Sequence, residues 1–332
     1  MSESPDPTIR VRELRDRVHQ ALAPLVDLRS PVALVDFPRY ANVGDSAIWA
    51  GAVRFLESHG IRPAYTCDMK TYDRETLASR IGAGTILLKG GGNFGDLYPP
   101  HQLLRERVIE SFPDNPIVQL PQTIHFESRE ALDRARSVYN RHHNLTLLVR
   151  DQRSLETVGT EFRCPSVLCP DMAYCLGPLP RQVKPSAPVV WLMRDDMEAT
   201  TTSEAPPEDW RDWNSEGRSL ALRLYIWLTG ATRRSAVARN ALHSPVRALR
   251  WRLSQQRLAC GCAMLSEGRV VVTDRLHGHI LCSLLNIPHV LLDNSYGKNR
   301  DFFDTWADDG GLTSWADSVA EARALAREIM PA

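Results

Sequence analysis

The sequence predicts an α/β protein in two halves, each built on a parallel sheet covered by helices. Three observations predict it. Short apolar runs alternate with helical patterns through the first two-thirds of the chain. A proline-rich stretch then breaks the alternation, and a second set of strands and helices follows it. Strands alternating with helices imply βαβ units and a sheet buried on both faces. At 332 residues the chain can form two domains, each with its own core.

In chain order, Val32–Phe37 reads as the first strand, with a helix near Ser46–His59. Thr85–Lys89 is the second clear strand, then a glycine loop and a helix near His101–Ser111. Ile117–Leu120 is the third, and a helix opens at Ser128, a good N-cap. Leu145–Val149 is the fourth, with a short run at Ser166–Leu168. Gly177, Pro178, Pro180, Pro185 and Pro188 mark an interdomain linker, which divides the chain into 1–176 and 177–332. Beyond it, Val189–Met193, Arg269–Thr273 and His289–Asp293 read as strands. Leu276–Asn286 reads as an apolar helix and Ser314–Met330 as an amphipathic closing helix.

Composition excludes several classes. Basic and acidic residues number 40 each, so the chain lacks the strong positive charge of a nucleic-acid binder. No apolar run is long enough to span a membrane, and the first residues carry no secretory apolar region. The seven cysteines form no CxxC pair, which predicts reduced thiols in a cytoplasmic protein and no metal site. Lysine occurs only at 70, 89, 184 and 298, and the other basic residues are arginine. From Gly217 to Arg257 nine arginines occur with no Asp or Glu. That segment reads either as a pair of helices whose arginines lie on a solvated face or pair with acids elsewhere, or as a basic, aromatic-bearing surface that rests on anionic lipid or receives a phosphorylated acceptor, with Arg233, Arg234, Arg247, Arg250 and Arg252 as its charges.

Ligands of parallel α/β sheets bind at the carboxyl ends of strands, and here almost every strand end carries a polar or glycine cluster. Asn42-Val-Gly44-Asp45 follows the first strand, and Gly90-Gly91-Gly92-Asn93 the second. Gln122 and His125 follow the third. Asp171 follows the short run, Arg194 follows Met193, and Asp274-Arg275-Leu276-His277-Gly278 opens a helix. Gly90, Gly92 and Gly95 satisfy GxGxxG, but the next strand ends in Leu120-Pro121-Gln122 and not in an acid that would hold a ribose, which weighs against a dinucleotide site. Arg275 at a helix start gives a forked grip on carboxylate or phosphate, and His277 beside it can move a proton near neutral pH.

Together these loops resemble the polysaccharide pyruvyl transferase family. The resemblance is carried by Asn42–Asp45, Leu88–Asn93, Leu120–Thr123, Val149–Asp151, Pro170-Asp171, Thr273–Gly278 and Asp293–Lys298, in family order. It implies two Rossmann-like domains facing a cleft, similar to the GT-B glycosyltransferase fold. It implies transfer of the enolpyruvyl group of phosphoenolpyruvate onto a sugar hydroxyl pair as a pyruvate ketal, with phosphate released. Phosphoenolpyruvate is then a co-substrate, and no cofactor or metal is needed. Arg275, Leu276 and His277 map onto the family's donor-binding element, with Arg194 and Lys298 as further donor groups. Asn42, Gly44, Gly91, Gly92, Asn93, Gln122 and His125 would face the acceptor, a polysaccharide or its lipid-linked precursor. His277 is the candidate general acid or donor-phosphate partner. Asp45 is the candidate base or acceptor hydrogen-bonder, and Asp171 another catalytic candidate. The alternatives are a GT-B-type glycosyltransferase using a nucleotide sugar and a non-catalytic member of a polysaccharide assembly. The expected location is the cytoplasm, with peripheral contact at the inner face of the membrane through 217–257.

Overall fold

Seven strands form the first sheet: β1 (Val32–Val35), β2 (Tyr65–Cys67), β3 (Thr85–Leu88), β4 (Gly91–Gly95), β5 (Ile117–His125), β6 (Leu145–Val149) and β7 (Ser166–Leu168). Their order is β2-β1-β3-β5-β6-β7, with β4 also on β5, and every pairing is parallel. A second, four-stranded parallel sheet has the order β11-β10-β9-β8 and comprises β8 (Ala187–Leu192), β9 (Gly268–Thr273), β10 (His289–Leu292) and β11 (Thr313–Ala316). The helices are α1 (Pro7–Leu22), α2 (Val43–Ser58), α3 (Arg74–Ile81), α4 (Pro99–Ser111), α5 (Arg129–Tyr139), α6 (Gln152–Glu161), α7 (Leu220–Arg234), α8 (Ala236–Ala241), α9 (His243–Ser266), α10 (Leu276–Leu284), α11 (Lys298–Trp306) and α12 (Val319–Glu328). This computed structural model describes residues 7–199, 209–213, 219–306 and 311–331.

The central strands are apolar at every position because both faces are covered: β1 and β3 have no exposed residue. From β1 the chain steps to one side for β2 and then to the other side for β3. The reversal opens a crevice beyond the carboxyl ends of β1 and β3, where open α/β sheets bind ligands. The loops after β1 and β3 are the Asn42–Asp45 and Lys89–Gly92 segments.

Three expected boundaries change. The Gly91–Gly95 segment is a strand and not only a loop. Its glycines take φ of +130° at Gly91 and +146° at Gly95, and a side chain at Gly95 would strike the His125 carbonyl. The strand expected to end at Leu120 continues to His125, so Gln122 and His125 lie within β5. Its register shifts between Gln119 and Gln122, which accommodates the missing N–H of Pro121. Thr313–Ala316 is edge strand β11, and the closing helix begins only after Ser318, whose hydroxyl accepts the Glu321 N–H. At Ser128 the expected cap is found, accepting the Ala131 N–H at 3.3 Å.

The basic segment packs on the first sheet. Tyr225, Leu228, Val246 and Leu253 share a core with Leu34, Phe37, Trp49 and Phe55. Arg250 is buried: its guanidinium donates to the Thr66 carbonyl (2.7 Å), the Thr66 hydroxyl (2.8 Å) and the Thr71 hydroxyl (2.9 Å). Arg257 donates to the Pro38 carbonyl at 2.8 Å and Arg247 to the Pro63 carbonyl at 2.7 Å. Arg250 therefore belongs to the interior and cannot meet a lipid surface. Arg223, Arg233, Arg234 and Arg252 are exposed, whereas Gly217 and Arg218 lie outside the described residues. Among the described residues, no helix is long and apolar enough to cross a membrane.

Candidate active site

A cavity of about 260 Å3 is lined by the loops that follow the carboxyl ends of both sheets. From the first half come Tyr40, Asn42, Gly44, Asp45, Gly92, Asn93, Tyr98, His101 and Arg150. From the second come Arg194, Asp196, Glu198, Trp213, Arg275, Leu276, His277 and Lys298.

Asn42 caps α2 by accepting the Asp45 N–H at 3.2 Å, which fixes Asp45 in the first helical turn. Asp45 pairs with the buried ammonium of Lys89 and accepts the Tyr40 hydroxyl at 3.0 Å. Burial alone would raise its carboxyl, but the Lys89 charge and hydrogen bond outweigh burial and hold it down to about 2. On the same rim, His101 Nδ1 lies 2.7 Å from Asp36, a residue with φ of 78° at the end of β1. A non-glycine residue in that conformation is strained, as is common beside functional sites.

The His277 ring rests on Gly44. A Cβ built on Gly44 would lie 2.7 Å from the ring's Cγ and Nδ1, so the bare glycine is what lets the two halves meet here. On the ring's other nitrogen, Nε2 lies 3.4 Å from Asp171 Oδ2 without the alignment of a hydrogen bond. Asp171 is fully buried and does not line the cavity. It accepts Arg150 Nη1 at 2.6 Å and the Ala173 N–H at 2.8 Å. Burial opposes its ionisation, yet His277 and Arg150 hold it well below the usual carboxylate range.

Arg194 Nε and Nη2 form a fork on Asp196 at 2.9 and 3.0 Å, and Nη2 lies 3.1 Å from Glu198. Arg275 Nη2 donates to Asp212 at 2.6 Å and to Asp196 at 3.3 Å, and its guanidinium stands over the Trp213 ring. Glu198 accepts Lys298, the Tyr98 hydroxyl at 2.9 Å and the Tyr296 hydroxyl at 3.3 Å. Burial would raise Glu198, but Lys298 and Arg194 hold it down to about 2. Lys298 itself is brought down to about 8, by burial against the pull of Glu198. Asp274, which accepts the Arg194 N–H at 2.9 Å, is pushed up to about 7 by burial.

The lining thus holds the cations Arg150, Arg194, Arg275 and Lys298 against the carboxylates Asp45, Asp196 and Glu198. Three buried nitrogens of lining residues make no hydrogen bond among the described residues: Arg275 Nε, His277 Nε2 and Trp213 Nε1. Similar unpartnered atoms occur elsewhere among the described residues, at Arg105, Tyr139 and Asn299 for example, and His277 Nε2 faces the Asp171 carboxylate, so it is the convergence of cations that distinguishes this cavity.

The sequence profile of the polysaccharide pyruvyl transferase family matches residues 42–296, which include nearly every lining residue. The chain belongs to that family. It is 33% identical over 296 residues to EpsO of Bacillus subtilis, covering 86% of this chain and 89% of that protein. It is also 33% identical over 313 residues to Pyruvyl transferase 1 of Schizosaccharomyces pombe, covering 90% of this chain and 75% of that one. The fold is similar to that of protein KP1_0663 of Klebsiella pneumoniae, with a TM-score of 0.61 and 18% identity over 92% of this chain and 99% of that chain.

Of the site residues of this pyruvyl transferase family member foreseen from sequence, Asn42, Gly44, Asp45, Gly92, Asn93, Arg194, Arg275, Leu276, His277 and Lys298 line the cavity. Gly91, Gln122, His125 and Asp171 do not. Gln122 is buried in the frame, donating to Asn93 Oδ1 and to the Lys89 carbonyl at 3.0 Å each. His125 stacks on Tyr296 with ring centres 4.5 Å apart. Sequence reasoning did not single out the lining residues Tyr40, Tyr98, His101, Arg150, Asp196, Glu198 and Trp213, or Lys89 behind Asp45. The one usable signal was position: Lys89 ends a strand, and Asp196 follows Arg194 in another strand-end loop.

Proposed function

We propose that this protein transfers the enolpyruvyl group of phosphoenolpyruvate onto a hydroxyl pair of a saccharide, forming a pyruvate ketal. In this reading the loops of the first sheet face the acceptor and those of the second hold the donor, in a GT-B-like arrangement. The observation that supports it most directly is the convergence of Arg194, Arg275 and Lys298 on one cavity. A donor with one carboxylate and one phosphate matches such a set of cations, two of them forked. Asp196 and Glu198 pair with those cations, and the donor takes over part of their role.

His277 gives a proton to the methylene carbon of the donor, leaving an electron-poor C2. One sugar hydroxyl attacks C2, and its proton returns to His277. The C–O bond to phosphate breaks, and the second hydroxyl closes the ring while its proton leaves with the phosphate. Asp171 acts through His277 as a positioning residue. Asp45, held at about 2, is too weak a base to take a proton at neutral pH and instead accepts hydrogen bonds from the acceptor's hydroxyls. The scheme uses no metal and no cofactor. The donor is an intracellular metabolite, so the reaction belongs in the cytoplasm.

The test is phosphate release from phosphoenolpyruvate across a panel of oligosaccharide acceptors. Acceptor-dependent release that His277→Ala and Arg275→Ala abolish supports the reading. Consumption of a nucleotide sugar with phosphoenolpyruvate left intact refutes it.

A further inference from the structure

Helix α7 has two unlike faces. Its inner face buries Tyr225, Leu228, Thr229 and Thr232, and the Tyr225 hydroxyl bonds to Asp68 and receives Arg250 Nε at 3.2 Å. At about 100° per residue, Leu220, Leu224 and Trp227 share an arc of about 60° whose centre lies about 120° round the helix from that of the buried face. They are 80%, 46% and 70% exposed. Exposed Arg223 and Arg234 border that arc, three residues after Leu220 and seven after Trp227. Exposed Val237 follows in α8. Monomers normally scatter exposed apolar residues singly, yet here they cluster along one helix edged by arginine. The anchoring of the inner face means that this outer face is presented on a rigid support.

We infer that the outer face of α7 docks on an anionic lipid bilayer. Leu220, Leu224 and Trp227 enter the interfacial region, and Arg223 and Arg234 meet lipid phosphates. Charge decides the occupant. Helix α7 carries no Asp or Glu, and its exposed charges, Arg223, Arg233 and Arg234, are all positive, so its own charge complements an anionic surface. A second copy of the chain is a poor partner, because a two-fold interface sets this patch against itself and brings Arg223 and Arg234 against their own copies. Tryptophan is well suited to the interface, where its ring is buried and its N–H stays wet. The surface differs from the one the sequence suggested: Arg247, Arg250 and Arg257 are spent on backbone carbonyls, and the contact narrows to α7. The inference is independent of the donor chemistry.

The test is co-sedimentation of the full chain with vesicles of phosphatidylcholine alone or with about 30 mol% phosphatidylglycerol. The expected result is binding to anionic vesicles only, weakened by salt. Arg223→Gln with Arg234→Gln should weaken binding about tenfold or more. Leu224→Ser with Trp227→Ser should abolish it. All four residues are exposed, so unchanged circular dichroism and melting are expected of both variants. Wild-type protein left in the supernatant with anionic vesicles overturns the inference, as does undiminished binding by the serine variant. A dimer in sedimentation equilibrium that the serine variant dissociates also overturns it, in favour of self-association.

Discussion

Gly44→Ala isolates the contact between the two halves of the active site. The added Cβ would stand 2.7 Å from the His277 ring, whereas ordinary contacts begin at 3.4 Å, so the ring must retreat by at least 3.4 − 2.7 = 0.7 Å. In an α-helix Ala is otherwise favoured over Gly by about 1 kcal/mol, and overpacking costs about 1–3 kcal/mol. The net loss of stability is therefore about 0–2 kcal/mol, while a displacement of this size at the residue proposed to carry the proton should lower turnover by up to about a hundredfold. The decisive assay is urea unfolding of a double-mutant cycle. With His277 truncated to Ala the clash disappears, and Gly44→Ala should stabilise by about 1 kcal/mol, giving a coupling of about 1–3 kcal/mol. Additive effects within about 0.5 kcal/mol would refute the contact, and full phosphate release by Gly44→Ala would refute the proposed role of His277.

Glu198→Gln removes the charge that neutralises Lys298 and Arg194. It should cost about 3 kcal/mol at pH 7, because the folded carboxyl sits at about 2 and the ordinary one at 4.5. A group depressed in the folded state stabilises above its unfolded pKa, so the wild-type advantage in urea midpoints should shrink as pH falls from 4.5 toward 2. The Lys298 ammonium is charged below about pH 8, so the KM for an anionic donor should rise as pH climbs through 8. Lys298→Met should flatten that limb of the profile. Arg250→Met strands Thr66, Thr71 and Tyr225 without their donor and should lower unfolding stability by about 2–4 kcal/mol, whereas Arg252→Gln should leave the urea midpoint within about 0.5 kcal/mol of wild type.

How legible the molecule was depended on whether local pattern or tertiary contact fixed each feature. Strand ends were legible because parallel sheets place ligand groups there, and Asn42, Arg194, Arg275 and His277 all lie in such loops. The crevice between β1 and β3 was not, because it depends on β2, three residues too short to show a period. Glu198 was invisible for a different reason: its partners Tyr98, Tyr296 and Lys298 are each about 100 residues away in the chain. The closing helix was placed too early because β11 is partly exposed and its alternation resembles an amphipathic stretch. Arg250 looked solvated since no acid is near it in sequence, yet carbonyl and hydroxyl oxygens of 66 and 71 take its hydrogen bonds.

The return of α7–α9 to the first sheet has a consequence for dissection of the molecule. The proline-rich joint at 177–186 looks like the natural place to cut, and yet cutting there divides one core between two fragments. Residues 1–176 alone would leave Leu34, Phe37, Trp49 and Phe55 without the cover of Tyr225, Leu228 and Leu253. The second fragment would carry α7 and the first turns of α9 with nothing beneath them. Neither piece should be a self-sufficient folding unit. Produced together, each holds the other's missing surface, and the severed chain is set up to reassemble by fragment complementation.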